Sequence, residues 1–134
     1  MASLGITEMR VEQACDDGKK FAEIFYEKLD RSRTAISGLY LTTANLVWNG
    51  NYVHGKDQIV NFFENLPSTE TNLMSVDAQP VLDLPEFNGQ VTINVTCGGR
   101  IKVGSRAKFF TESFMLTAEN NTWKIVSDTF RDFT

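Results

Sequence analysis

The chain has 134 residues, 42% of them hydrophobic and 22% charged, and a formal net charge of −4. That length suits one core and a single domain over residues 1–134, with residues 1–6 expected to be flexible. The acidic balance argues against a general nucleic-acid binder, whose phosphate contacts need a positive surface, and no repeat or low-complexity tract suggests a fibrous or disordered chain.

Thr7 is placed to cap a first helix, with Glu8 in its positive first turn and Ile6 set to pack on Val11. Val11, Ala14, Cys15, Gly18, Phe21, Ala22, Phe25 and Leu29 then form one apolar stripe, while Glu12, Asp16, Lys19, Glu23 and Glu27 face water. A second, shorter helix is expected from Arg31 to Ser37, ended by Gly38. Leu46, Val47 and Trp48 run into Asn49-Gly50, the dipeptide that tolerates positive φ at both centres of a hairpin turn, and Tyr52 and Val53 lead away. Gly55 breaks that strand. Ile59, Phe62, Phe63 and Leu66 fall at helical spacing opposite Asp57, Asn61, Glu64 and Asn65, and Pro67 stops this third helix.

From Thr71 onward the period changes to two. Met74, Val76 and Ala78 alternate with Ser75, Asp77 and Gln79 before Pro80, and Val91, Ile93, Val95 and Cys97 alternate with Thr92, Asn94 and Thr96. A hairpin from Leu82 to Gln90 joins these two strands. Arg100 to Lys108 is a strand, a tight turn at Val103-Gly104-Ser105 and a returning strand in which Phe110, Phe114 and Leu116 oppose Thr111, Ser113, Met115 and Thr117. Glu119-Asn120-Asn121 turns the chain into a last strand, Trp123 to Phe133. Helices followed by long antiparallel strands give an α+β domain with the helices packed on one face of a curved sheet.

Cys15 and Cys97 lack metal-ligand spacing, and Met-Ala-Ser-Leu-Gly lacks the basic and apolar regions of a signal peptide. An intracellular protein with two reduced, buried thiols is expected, and the sequons at Asn94 and Asn120 then carry no sugar. The longest run free of Lys, Arg, Asp and Glu, Thr34 to Gly55, is too rich in Thr, Ser, Asn and Gly to span a membrane.

The second face of the sheet is the informative one. Ser75, Asp77, Gln79, Thr92, Asn94, Thr96, Thr111, Ser113, Met115 and Thr117 share the parity opposite to the core residues, and among them only Asp77 is charged. A solvated sheet face carries Lys and Glu, whereas a protein interface is depleted of them. A Thr-rich surface chosen for strand propensity alone explains the same residues.

Leu46-Val-Trp-Asn-Gly-Asn, Gly55, Phe62-Phe-Glu with Leu66-Pro67, Val76-Asp-x-Gln-Pro-Val81, Phe114-x-Leu-Thr117 and Trp123-Lys-Ile-x-Ser-Asp-x-Phe-Arg131 resemble the nuclear transport factor 2-related export proteins, the small partners of the large mRNA export receptor. The resemblance covers about Val11 to Arg131. It implies a cone-shaped nuclear transport factor 2-like fold, three N-terminal helices packed on a strongly curved antiparallel sheet, whose open face docks on the related domain of the receptor, the nuclear RNA export factor. It further implies an interfacial ion pair from Asp77, with Gln79 and Pro80 alongside. Binding of the pore's phenylalanine-glycine repeats falls mainly to the partner, and the chain shuttles between nucleus and cytoplasm through the nuclear pore. No cofactor is implied.

The same cone fold hosts isomerases and dehydratases, so chemistry has to be weighed at the site. The only histidine, His54, sits at a strand end without an orienting partner, and the helix stripes facing the interior are apolar, so no catalytic residue is assigned. Asp128 lies on a strand of mixed alternation, where pairing with Arg131 or with a turn is expected. Arg100, Lys102, Arg106 and Lys108 put four cations on one hairpin, which suits either RNA backbone or a charged edge that resists strand pairing. Against the adaptor stand two alternatives: a homodimeric import carrier for a nuclear GTPase, and a small-molecule isomerase or dehydratase.

Overall fold

The computed structural model describes residues 2–81 and 92–134, the side chains of residues 2–10 excepted. The Leu82 to Gln90 hairpin and Val91 lie outside the described residues.

The first helix, α1, spans Ala2–Arg31. Residues 2–6, expected to be flexible, are helical, and Thr7 lies inside the helix rather than capping it. Extending a helix past a weak cap adds a backbone hydrogen bond for each residue fixed, and Glu8, Met9 and Arg10 carry it onward. Its stripe is as expected: Ala14, Phe21, Ala22, Phe25 and Leu29 are buried, and Tyr26 joins them. Gly18 marks the closest approach to the sheet, since a Cβ there would stand 2.6 Å from the Cβ of Ala78.

A 3-10 helix, Arg33–Leu39, takes the place of the second helix expected at Arg31 to Ser37. β1 (Tyr40–Trp48) and β2 (Asn51–His54) form the expected hairpin, with φ of 50° at Asn49 and 84° at Gly50. α2 (Lys56–Glu64) buries Ile59 and Phe63. The remaining strands are β3 (Thr69–Val81), β4 (Thr92–Val103), β5 (Arg106–Glu119) and β6 (Thr122–Phe133).

The six strands form one sheet in the order β2-β1-β6-β5-β4-β3. β1 runs parallel to β6, while the other neighbours are antiparallel, so the sheet is mixed rather than antiparallel. Nor do three helices precede the strands: α2 is inserted between β2 and β3 and carries the chain from one edge of the sheet to the other. β3 to β6 then return by antiparallel steps to the open side of β1. Local patterning encodes each strand but not that long-range meeting, which is why the parallel pair was missed.

Two bulges correct the strand parity. Leu73 pairs with Gly99 and Ser75 with Gly98, so Met74 is an extra residue, and it is 64% exposed instead of lying in the core. Gly99 permits this, because a Cβ there would come within 2.1 Å of the Asn72 carbonyl oxygen. On β6, Met115 faces Ser127 while Leu116 faces Ile125, which leaves Val126 as the extra residue and turns both Ile125 and Asp128 inward.

Between helices and sheet lies a continuous aromatic core. Phe25 lies against Tyr26, Tyr40, Phe63 and Phe114 at ring-centroid distances of 4.7 to 6.5 Å, and Trp48 stacks on Phe130 at 3.7 Å. Phe110 continues the stack from Phe130 at 5.6 Å.

Candidate functional site

The face of the sheet turned away from the helices is built from cross-strand rows. Asp77, Thr96, Ser113 and Thr129 lie opposite one another on β3, β4, β5 and β6, followed by Gln79, Asn94, Met115 and Ser127. Ser75, Gly98, Thr111 and Arg131 form the next row, and Asn72, Arg100, Phe109 and Phe133 the one beyond it. Ser75, Asp77, Gln79, Asn94, Thr96, Thr111 and Ser113 are exposed and Met115 is half-buried, but Pro80, expected alongside Gln79, pairs with Ile93 in the row of Leu116 and Ile125 and so lies on the inner side of the sheet. Thr92 departs from this set. It is fully buried, because parity decides the direction of a side chain but not whether that side is open, and here it is covered.

Nor is Asp77 the only charge on this face, since Arg131 shares it through its pairing with Thr111. Three strand spacings separate them, roughly 14 Å at the usual interstrand distance, too far for an ion pair within the chain. The face also has an apolar end. Phe109 and Phe133 are 45% and 48% exposed and stack with ring centroids 6.2 Å apart; the Arg100 guanidinium sits 5.4 Å from the Phe109 ring centre, and the bulged Met74 is exposed on β3. Sequence parity pointed to the polar rows, but the aromatic pair and Met74 needed the register and the bulge to be seen.

The opposite face holds a polar cluster that sequence reasoning placed elsewhere. Glu112 and Asp128 are each 1% exposed, deep among the core rings. Asp128 does not pair with the exposed Arg131 or a turn; its Oδ2 accepts a 2.6 Å hydrogen bond from the Tyr40 hydroxyl. Glu112 Oε1 accepts one of 2.9 Å from Tyr26. Burial is the first cause of raised pKa values at both acids: it pushes Asp128 up to about 6, against the pull of the neighbouring Glu112 and the hydrogen bond from Tyr40, and Glu112 well above the usual carboxylate range, helped by the Asp128 charge. Tyr26 and Tyr40 are likewise raised, by burial first and then by these carboxyls. The interior, expected to be lined by apolar helix stripes, thus includes Tyr26 of α1 and Tyr40 of β1 facing two acids.

The other candidates are placed more simply. His54 is exposed at the end of β2, and its Nδ1 lies 2.5 Å from Asn45 Oδ1, which also accepts a hydrogen bond from Tyr52. Arg100, Lys102 and Arg106 are exposed on the β4–β5 hairpin, and Lys108 lies 3.7 Å from Asp132. These cations do not guard a sheet edge, because β4 is paired on both sides and the edges are β2 and β3. Cys97 is buried and burial pushes its thiol up to about 12, whereas Cys15 is only half-buried; neither is in a disulfide. Among the described residues no cluster of three or more His, Cys, Asp or Glu is placed to hold a metal ion, and no helix is long and apolar enough to cross a membrane.

The sequence profile of the nuclear transport factor 2 domain matches residues 17–131, from the middle of α1 to the end of the open face at Arg131. The chain belongs to the nuclear transport factor 2 family. Within that family it is similar to NTF2-related export protein 2 of Homo sapiens, at 44% identity over 126 residues covering 90% of this chain and 88% of that protein. The structure of nuclear transport factor 2 from Cryptosporidium parvum superposes with a TM-score of 0.76 at 26% identity, covering 92% of this chain and 95% of that one. A putative dehydratase of Streptomyces avermitilis gives a TM-score of 0.72 at 18% identity, with 96% and 99% covered, and shares the fold alone. The nuclear transport factor 2 fold thus presents two surfaces that can carry function, the open sheet face and the cone interior. In this chain the interior is filled by rings and two enclosed acids.

Proposed function

We propose that this chain is a non-catalytic adaptor of nuclear export. In this reading its open sheet face pairs with the nuclear transport factor 2-like domain of a large mRNA export receptor. The observation that carries it is the composition of that face: rows of Ser, Thr, Asn and Gln around Asp77, flanked by exposed Phe109, Phe133 and Met74, on a chain 44% identical to a protein named for export. Uncharged hydrogen-bonding groups around aromatic and Met anchors match the composition of protein interfaces, and an isolated acid on the β3 edge of that face suits an arginine of the partner. Against the enzyme reading, the two buried acids among the described residues, Glu112 and Asp128, are enclosed and hydrogen-bonded to tyrosines. Contact with pore repeats would then come mainly through the partner, and the complex would shuttle between nucleus and cytoplasm.

A photo-crosslinking residue in place of Ser113, at the centre of the face, tests the reading. With the receptor domain present it captures that domain, whereas the same group in place of Glu23, on the solvent side of α1, captures nothing. Crosslinks only to a second copy of the chain would favour the homodimeric carrier, and no crosslink from Ser113 would remove the face from the account.

A further inference from the structure

Glu112 and Asp128 sit on neighbouring strands, each opposite a core phenylalanine: Glu112 faces Phe130 and Phe114 faces Asp128. They are therefore diagonal neighbours on the inner face, close enough for their carboxyls to meet. After the tyrosine bonds, each keeps one oxygen, Glu112 Oε2 and Asp128 Oδ1, buried without a partner. Two carboxylates cannot satisfy each other, because both only accept. A proton on one of them satisfies both. The groups acting on the pair are Tyr26 from α1, Tyr40 from β1 and Cys97 from β4, and no lysine or arginine is among them.

We infer that the folded chain carries one proton between Glu112 and Asp128 at neutral pH, with Glu112 as the neutral acid donating from Oε2 to the ionised Asp128. The tyrosine geometry assigns the roles. The 2.6 Å bond from Tyr40 falls in the range of a hydroxyl donating to a charged oxygen, while the 2.9 Å bond from Tyr26 is that of a neutral pair. The raised pKa of Glu112 agrees with this assignment.

The shared proton makes the fold sensitive to base. The unfolded chain releases the Glu112 proton near the ordinary glutamate value of about 4.3, whereas the folded chain keeps it to higher pH. Folding therefore takes up a proton in between, and stability declines as pH rises through that window. Asp128 adds to the slope only up to about pH 6, where it ionises in the folded chain. This inference concerns the core and stands whether or not the sheet face binds a partner.

Glu112→Gln tests it, because the glutamine amide can donate to Asp128 and its carbonyl can accept from Tyr26, as the protonated acid does. Relative to this variant, the folding equilibrium constant of the wild type, from urea denaturation, falls as pH rises above about 6, with a limiting slope of about tenfold per pH unit while Glu112 stays protonated in the folded chain. Parallel pH profiles for the two proteins would overturn the shared proton. Infrared spectroscopy of the wild type at pH 7 gives a second test that needs no variant to fold: a protonated carboxyl stretch is expected, and carboxylate bands alone would contradict the inference.

Discussion

Arg33 shows how much one side chain can hold. From the 3-10 helix its guanidinium donates to the carbonyls of Leu29, Phe63, Leu66 and Pro67 and to the Thr69 hydroxyl, closing the C-terminal end of α2. The Phe63 carbonyl also accepts from the Leu66 N–H and the Leu29 carbonyl from the Thr69 hydroxyl, so removing the guanidinium costs most at the Leu66 and Pro67 carbonyls. Arg33→Met is expected to destabilise the chain by about 1.5–3 kcal/mol in urea denaturation, and Arg33→Lys to recover only part, since an ammonium cannot span four carbonyls with a planar fork. Gly99 is as constrained for a steric reason. Gly99→Val drives a side chain into the Asn72 carbonyl and forces β3 off its bulge, at a cost of about 2 kcal/mol or more, readable as a lower melting temperature. An unchanged melting temperature would mean that the bulge at Met74 is not the native register.

At the scale of elements, the open face separates binding from stability. Met74 and Phe109 are exposed, so the double variant Met74→Asp and Phe109→Asp should keep its unfolding free energy within about 1 kcal/mol of wild type while losing capture of the receptor domain on affinity beads. Loss of both together would mark these residues as part of the fold instead. The α1 stripe, the Asn49-Gly50 turn and α2 were legible because each is encoded by spacing or turn chemistry within a few residues. Met74 was assigned to the wrong face, and the directions of Asp128 and Arg131 could not be read, for one shared reason. A bulge adds a residue without changing the local composition, so alternation read through it assigns the next side chains to the wrong face, and only the pairing of β3 with β4 and of β6 with β5 reveals the shift. Glu112 is different: it shares parity with Phe110, Phe114 and Leu116, and that signal was present in the sequence. The parallel pairing of β1 with β6 was not, because no local pattern specifies a contact between the two ends of the chain.

For the whole molecule, the cone has two places to put chemistry, and this chain leaves one of them open. Its interior is closed by Phe25, Phe63, Phe110, Phe114 and Phe130 around two acids, whereas the outer face of β3 to β6 keeps polar rows, an aromatic end and the Asp77 carboxylate of edge strand β3 in contact with solvent. Net charge on the chain is modest, so in the proposed adaptor long-range attraction contributes little and partner choice rests on the pattern of that face. The measurement that tests this most directly is titration calorimetry of the full chain against the nuclear transport factor 2-like domain of the receptor. Asp77→Arg should weaken binding by about 3–5 kcal/mol, on the order of a thousandfold, as expected for reversing one half of a desolvated ion pair, while Glu23→Arg on the solvent side of α1 leaves affinity unchanged. Equal affinities for wild type and Asp77→Arg would contradict the assignment of the open sheet face as the binding surface.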